Sequence, residues 1–200
     1  MSPSLLYAFL IFAAVMAFTP GPNNIMLLSS GLTWGFRRTL PLLAGVLLGG
    51  TFMIAAVGLG LGAVFFAYPV LKTILKYAGA AYLVYLAVVI AMSDTTSATP
   101  GVARGPISFW AAVLLQWINV KAWVMIIGTI TVYAAIAAYP LNIAIQTGIC
   151  FLIGIVATWT WALFGHSLRP LLTSPAKVRA FNIVMALLLL SSLYPVFTDA

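Results

Sequence analysis

The chain alternates long apolar runs with short polar separators. Six runs stand out, roughly Leu5–Ser30, Leu40–Ala67, Val70–Met92, Ile107–Ala137, Leu141–Leu168 and Val178–Phe197. A helix needs about 20 apolar residues to cross the hydrocarbon of a bilayer, and each run supplies that length. The runs are continuous rather than alternating apolar with polar in segments of about ten, which excludes the strands of a membrane β-barrel. The separators carry turn chemistry: Gly31 to Thr39, Tyr68-Pro69, Ser93 to Pro106, Tyr139-Pro140, and Arg169 to Lys177 with Pro170 and Pro175. The pattern predicts an all-α membrane protein of six transmembrane helices. The longest separator, residues 93–106, is small and polar, and divides the chain into three-helix units at 1–92 and 107–200. With three crossings per unit, the second unit enters the membrane in the opposite sense to the first, which is the arithmetic of two inverted repeats.

The first run lacks a basic leader, and apolar residues resume after Pro20-Gly21-Pro22 with Ile25-Met26-Leu27-Leu28. It therefore reads as an interrupted spanning helix rather than a cleaved signal peptide.

Composition agrees and removes most alternatives. Of 200 residues, 64% are apolar and 6% charged, with a mean hydropathy of +1.17, far from the roughly 25% charged residues of a soluble domain. Two acids, one histidine and one cysteine leave no paired carboxylates, no metal-ligand set and no disulfide framework, so neither an enzyme nor a metal or other cofactor is expected. Cys150, within Ile149-Cys150-Phe151, reads as a small buried hydrophobe. Basic residues set the orientation. With the N-terminus outside, the cytoplasmic side holds Arg37, Arg38, Arg104, Arg169, Lys177 and Arg179, against Lys72 and Lys76 on the other side. Both termini are then expected to face outward, residues 93–106 form a cytoplasmic linker, and the net charge of +7 reflects this bias rather than affinity for nucleic acid.

Two spans are interrupted near their middles. In span one, Thr19-Pro20-Gly21-Pro22-Asn23-Asn24 holds two prolines, each lacking an N–H and freeing carbonyls from the helical ladder. Gly21 lets another group approach the backbone closely. In hydrocarbon, freed groups persist only where protein, water or a substrate satisfies them. Asn23 and Asn24 add donors and acceptors beside the break, and a half-helix starting after Pro22 would point free N–H groups at a carboxylate. A plain proline kink with asparagines bonding neighbouring helices is the structural alternative. At the corresponding place in span four stands Gln116-Trp117-Ile118-Asn119-Val120-Lys121-Ala122-Trp123. A lysine near the bilayer centre costs about 2.5–3.5 kcal/mol on insertion scales, so it is expected to face a cavity or a partner. Asp94 and Asp199 both fall outside the spans, leaving backbone carbonyls, water or a substrate carboxylate as partners for Lys121. Snorkelling of its side chain to an interface is the alternative.

Other polar and small residues are less telling. His166, near the cytoplasmic end of span five, reads as solvated or hydrogen-bonded, with a proton relay as the alternative. Gly45 and Gly49, with Gly50, Gly58, Gly60 and Gly62 after them and Gly79 in span three, read as helix-packing positions. Trp34, Tyr68, Tyr139 and Tyr194 suit the membrane interface, while Trp117, Trp123, Trp159 and Trp161 lie deeper.

These residues carry a family resemblance along essentially the whole chain. Thr19-Pro20-Gly21-Pro22-Asn23 resembles the (Ser/Thr)-Pro-Gly-Pro-Asn signature of the LysE/RhtB amino-acid exporter family. Gln116 to Ala122 resembles its second motif, usually Asn-Pro-Lys-Ala, and Tyr77 to Leu86 resembles its Gly-Ala-x-Tyr-Leu-x-Tyr-Leu stretch. Val120 stands where the family usually has proline, which predicts a softer break in span four than in span one. Asn119-Val120-Lys121, with Pro106 to Trp110 upstream and Trp161 to His166 downstream, is similar to the cysteine/O-acetylserine exporter branch.

The resemblance implies a bacterial inner-membrane exporter of small neutral amino acids or their derivatives, linked to the proton gradient. The two interruptions themselves suggest an alternating-access carrier with substrate expected at Pro20, Gly21, Pro22, Asn23, Asn24, Asn119 and Lys121. A proton antiporter usually relays protons through membrane carboxylates or histidines. With no carboxylate in the spans, coupling falls to His166, Lys121 or the substrate itself. An uncoupled facilitator, and a non-transporting subunit that supports assembly of a partner through its small-residue faces, stand as alternatives. The expected partners are the amino-acid substrate, protons and the bilayer, with assembly into a homo-oligomer left open.

Overall fold

The computed structural model of the protein describes residues 3–61, 67–92, 105–171 and 174–191. The first apolar run forms two helices, α1 (Pro3–Phe18) and α2 (Pro22–Trp34), bent by 49°. The amide of Thr19 still reaches the Val15 carbonyl at 2.8 Å, but Pro20 and Pro22 have no N–H to continue the ladder. Pro22 then occupies the first turn of α2, where its missing N–H costs nothing. The ladder resumes with Ile25 N–H donating to Gly21 O at 2.9 Å.

Helix α3 (Phe36–Ala56) runs on through a π-helical turn, Val57–Leu61, which carries the second run as far as residue 61. Gly60 lies in that turn at φ 131° with no neighbour within 4 Å of a notional Cβ. It serves backbone conformation rather than the helix packing expected of it, and Gly62 lies outside the described residues. Helix α4 (Pro69–Ala91) matches the third run. Residues 93–104 of the linker, with Asp94 and Arg104, are likewise outside the described residues, as are the end of the sixth run with Tyr194 and, beyond that run, Asp199.

The fourth run forms α5 (Phe109–Ile118) and α6 (Val120–Val132), bent by 67°. This break is sharper than the first, contrary to the expectation drawn from Val120. The cause is Asn119, whose backbone is extended at φ −83°, ψ 102° and whose Oδ1 accepts from Ala122 N–H at 3.4 Å. An asparagine cap starts a new helix without a proline. Helix α7 (Leu141–Ser167) and helix α8 (Pro175–Ser191) complete the chain.

All regular elements among the described residues are helical. Helix α2 is the centre of the molecule: every residue from Asn24 to Leu32 is buried, so it is packed all round rather than along one stripe. It lies against α7 at backbone distance, because a Cβ on Gly165 would fall on the Leu28 backbone and one on Gly31 would meet the Ala162 carbonyl. Gly45 and Gly49 do the same for α3 against α5, meeting the Phe109 carbonyl, Ala112 and Val113. Small residues at such crossings are how helices associate in lipid, where no hydrophobic force drives them together. The main core joins α2, α3, α4, α5, α7 and α8 through residues such as Leu27, Leu42, Leu83, Ala112, Ala162 and Leu189.

The outer surface is apolar. Leu48, Phe52, Leu114, Val156, Leu163 and Leu187 are all exposed, a distribution that suits lipid and not water. By length and composition, Phe36–Leu61 and Leu141–Leu171 can each cross a membrane, and each bent pair meets the same criterion when its halves are joined. Tyr68 and Tyr139 are exposed at helix starts, Trp159 packs on Phe36 with ring centroids 5.2 Å apart, and Trp117, Trp123 and Trp161 are half-buried.

Candidate functional site at the paired helix breaks

The two breaks meet. Lys121, in the first turn of α6, reaches across so that its Nζ donates to the Thr19 carbonyl at 2.6 Å and the Pro20 carbonyl at 3.3 Å. The bend between α1 and α2 leaves the Thr19 and Pro20 carbonyls outside both ladders, which resume only at Ile25 N–H to Gly21 O, and the ammonium takes them up. Gly21 makes the crossing possible: a Cβ there would lie 2.7 Å from Lys121 Cδ and 3.0 Å from its Nζ. Asn24 Nδ2 donates to the Ala17 and Thr19 carbonyls, each at 2.9 Å, closing the end of α1 from within α2. Gly21→Ala is therefore expected to displace the lysine arm and lower transport several-fold with little change in protein yield, measured as initial transport rate per amount of protein.

A second bridge joins the breaks. Asn23 Nδ2 donates to Gln116 Oε1 at 2.8 Å, and Gln116 Nε2 donates to Asn23 Oδ1 at 3.3 Å and to the Ala112 carbonyl at 2.9 Å. Gln116 is only 1% exposed, so leaving its amide unpaired would cost about 1–3 kcal/mol. Removing either partner strands the other. Asn23→Ala and Gln116→Ala should each destabilise the protein, and the double variant should lose less than their sum; melting temperatures of the four proteins in one detergent measure this. Strict additivity would mean the bridge contributes nothing.

Between the breaks lies a cavity of about 120 Å3 whose walls include Gly21, Asn23, Asn24, Gln116, Asn119 and Lys121. The remainder is mostly apolar, from α1, α3, α6 and α7, with Thr51, Thr158 and Cys150 among it. An engineered cavity of about 150 Å3 holds benzene, so this space has the scale of a small metabolite. Helices α2 and α6 both begin at its wall, presenting their N-terminal turns and an ammonium to one place, which suits an anionic group.

Of the residues singled out from sequence, Gly21, Pro22, Asn23, Asn24, Asn119 and Lys121 line this cavity, and Pro20 meets it through the carbonyl that Lys121 holds. His166 does not. It is exposed in the last turn of α7, beside Gly31 and Gly35 at the far end of α2. Gln116 was read only as part of a motif; a buried amide one helical turn before Asn119 was the available signal. Cys150 is half-buried on the cavity wall. No group of histidine, cysteine and acidic residues among the described residues could hold a metal ion.

Apolar outer faces, two broken helices and a mostly apolar cavity with a few converging polar groups where they meet define a helical membrane carrier. The family model described as LysE type translocator matches residues 14–191, and the chain belongs to the LysE family; it is a transporter and not an enzyme. Its relatives include proteins named cysteine/O-acetylserine efflux protein. One from Escherichia coli O139:H28 (strain E24377A / ETEC) is 36% identical over 95% of this chain and 96% of its own. Those from Escherichia coli (strain K12) and Shigella sonnei (strain Ss046) are also 36% identical, over 94% of this chain and 95% of theirs. No solved structure matches the chain.

Proposed function

We propose that the protein exports small neutral amino acids or their derivatives, of the cysteine and O-acetylserine type, across a bacterial inner membrane. In this reading six crossings form two inverted repeats, 1–92 and 107–200, joined by a cytoplasmic linker at 93–106, with both termini outside. The substrate sits where the interrupted helices meet and alternates between the two faces. Pro20, Gly21 and Pro22 shape the backbone around it, Asn23, Asn24 and Asn119 hold the half-helices in register, and Lys121 receives its carboxylate. One observation carries this: an ammonium from the second unit lies in the break of the first, on the wall of a cavity of about 120 Å3. The names of the relatives support the substrate class.

Proton linkage is the finer part of the proposal, with Lys121 or the substrate as the titrating group and His166 as a second candidate. The position of His166 away from the cavity, and the lack of any acidic residue on the cavity wall, favour a second reading in which efflux is uncoupled and simply follows the substrate gradient.

Counterflow of labelled cysteine into proteoliposomes, competed by unlabelled amino acids with and without a pH gradient, tests both readings. Counterflow competed by O-acetylserine and strengthened by the gradient is the expected result. Counterflow indifferent to the gradient would leave the uncoupled facilitator. No counterflow with any competitor pair would overturn the export reading and favour an assembly subunit.

A further inference from the structure

The carbonyls of Thr19 and Pro20 are the exit of the α1 ladder. In the structure they converge on a single cation, the Lys121 ammonium, at 2.6 and 3.3 Å. A zwitterionic amino acid brings its own ammonium into the same cavity, and that group also needs acceptors. None of the residues lining the cavity is acidic. Of the side-chain acceptors on the wall, Asn23 and Gln116 pair with each other and Asn119 Oδ1 accepts from Ala122 N–H, while Asn24, whose Nδ2 is bonded, keeps its Oδ1 as a neutral acceptor beside the cradle. The hydroxyls of Thr51 and Thr158 donate to the Leu47 and Gly154 carbonyls of their own helices, so their oxygens are left as single, separate acceptors rather than a converging pair. The acceptors already arranged around a cation are those two backbone carbonyls, the kind of unwound-helix oxygens that hold cations in other carriers with broken helices.

From this, and resting on the export reading above, we infer that Thr19 O and Pro20 O form an ammonium cradle, which Lys121 fills in the empty carrier and the substrate's α-ammonium takes over on binding, while the substrate carboxylate pairs with the released Lys121. The exchange conserves charge. Before binding the site holds one positive charge on Lys121; after it, that charge plus a zwitterion of net zero. An amine without a carboxylate would add a second uncompensated cation beside Lys121 and is excluded. An anion without an ammonium would draw Lys121 away and leave the two carbonyls without a cation. Recognition of a zwitterion thus arises without any acidic side chain. Gly21, which leaves room for the lysine arm beside the cradle, is part of the same device.

The test compares cysteine with cysteamine, the same molecule lacking its carboxylate, by calorimetric binding to purified protein under reducing conditions. Wild type is expected to bind cysteine and to bind cysteamine at least tenfold more weakly. Lys121→Ala empties the cradle and removes the competing charge, so it should lose cysteine affinity tenfold or more and gain cysteamine affinity by a similar factor. Lys121→Met, which keeps all but the charged tip of the arm, should show the same reversal and covers the case in which the alanine variant fails to fold. A wild type that binds cysteine, with folded variants showing no gain for cysteamine, would overturn the cradle while sparing the export reading. A wild type that binds neither cysteine nor O-acetylserine would overturn the export reading on which it rests.

Discussion

Lys121→Ala is expected to lower amino-acid counterflow by roughly 10- to 150-fold while the protein remains in the membrane in normal amount. The estimate follows from losing a charge-assisted hydrogen-bonded pair between Lys121 and the substrate carboxylate, about 1.5–3 kcal/mol, at about 1.4 kcal/mol per tenfold. Yield should not fall: the variant is relieved of the roughly 2.5–3.5 kcal/mol cost of inserting a lysine within a span, which offsets the loss of its bonds to the break, and the Thr19 carbonyl keeps its Asn24 Nδ2 donor. Lys121→Arg should not restore transport: the guanidinium is planar and broader, while the lysine arm lies 2.7–3.4 Å from the position a Cβ would take on Gly21. Counterflow per amount of membrane-inserted protein, quantified by immunoblot, is the measurement. Transport unchanged in the alanine variant would remove Lys121 from the site.

The second large effect is structural. Gly165→Ala places a methyl group on the Leu28 backbone, and a backbone cannot yield as a side chain can. Overpacking of this kind costs about 1–3 kcal/mol. In the same helix, Gly148 is exposed with nothing within 4 Å of its notional Cβ, so Gly148→Ala should stabilise the protein by about 0.4–1 kcal/mol through the unfolded chain. Opposite shifts in melting temperature for one substitution at two positions of α7 are the expected result. Equal shifts would mean that α2 and α7 do not meet at backbone distance.

Much of this arrangement was legible in the residues. Proline has a local, one-residue effect on the ladder, so the break at Pro20 and Pro22 could be placed directly. The second break was located but its sharpness was underestimated. A cap such as Asn119 acts through a side chain whose partner, Ala122 N–H, exists only once the helix has started, and the same asparagine inside a continuous helix would look identical in sequence. The cross-bridge of Asn23 with Gln116 spans 93 residues, and no local pattern reports such a pairing. Gly60 was grouped with the packing glycines because it shares their composition, yet its φ of 131° shows that what it supplies is backbone freedom. His166 drew attention for its chemistry alone; its distance from the breaks is a property of where α7 ends. Gly45 and Gly49 behaved as their spacing implied, since a four-residue period fixes one helix face whatever the partner.

The central claim is that an amino acid occupies the cavity between the two breaks. The chain's single cysteine provides a reporter without any mutation, because Cys150 lies on that cavity's wall. Its rate of alkylation by N-ethylmaleimide, followed by mass spectrometry of the purified protein, should fall several-fold when O-acetylserine, which has no thiol, is present at saturation. The same addition should leave the rate unchanged in Lys121→Ala. Equal alkylation of the wild-type protein with and without O-acetylserine would contradict the placement of substrate between the breaks.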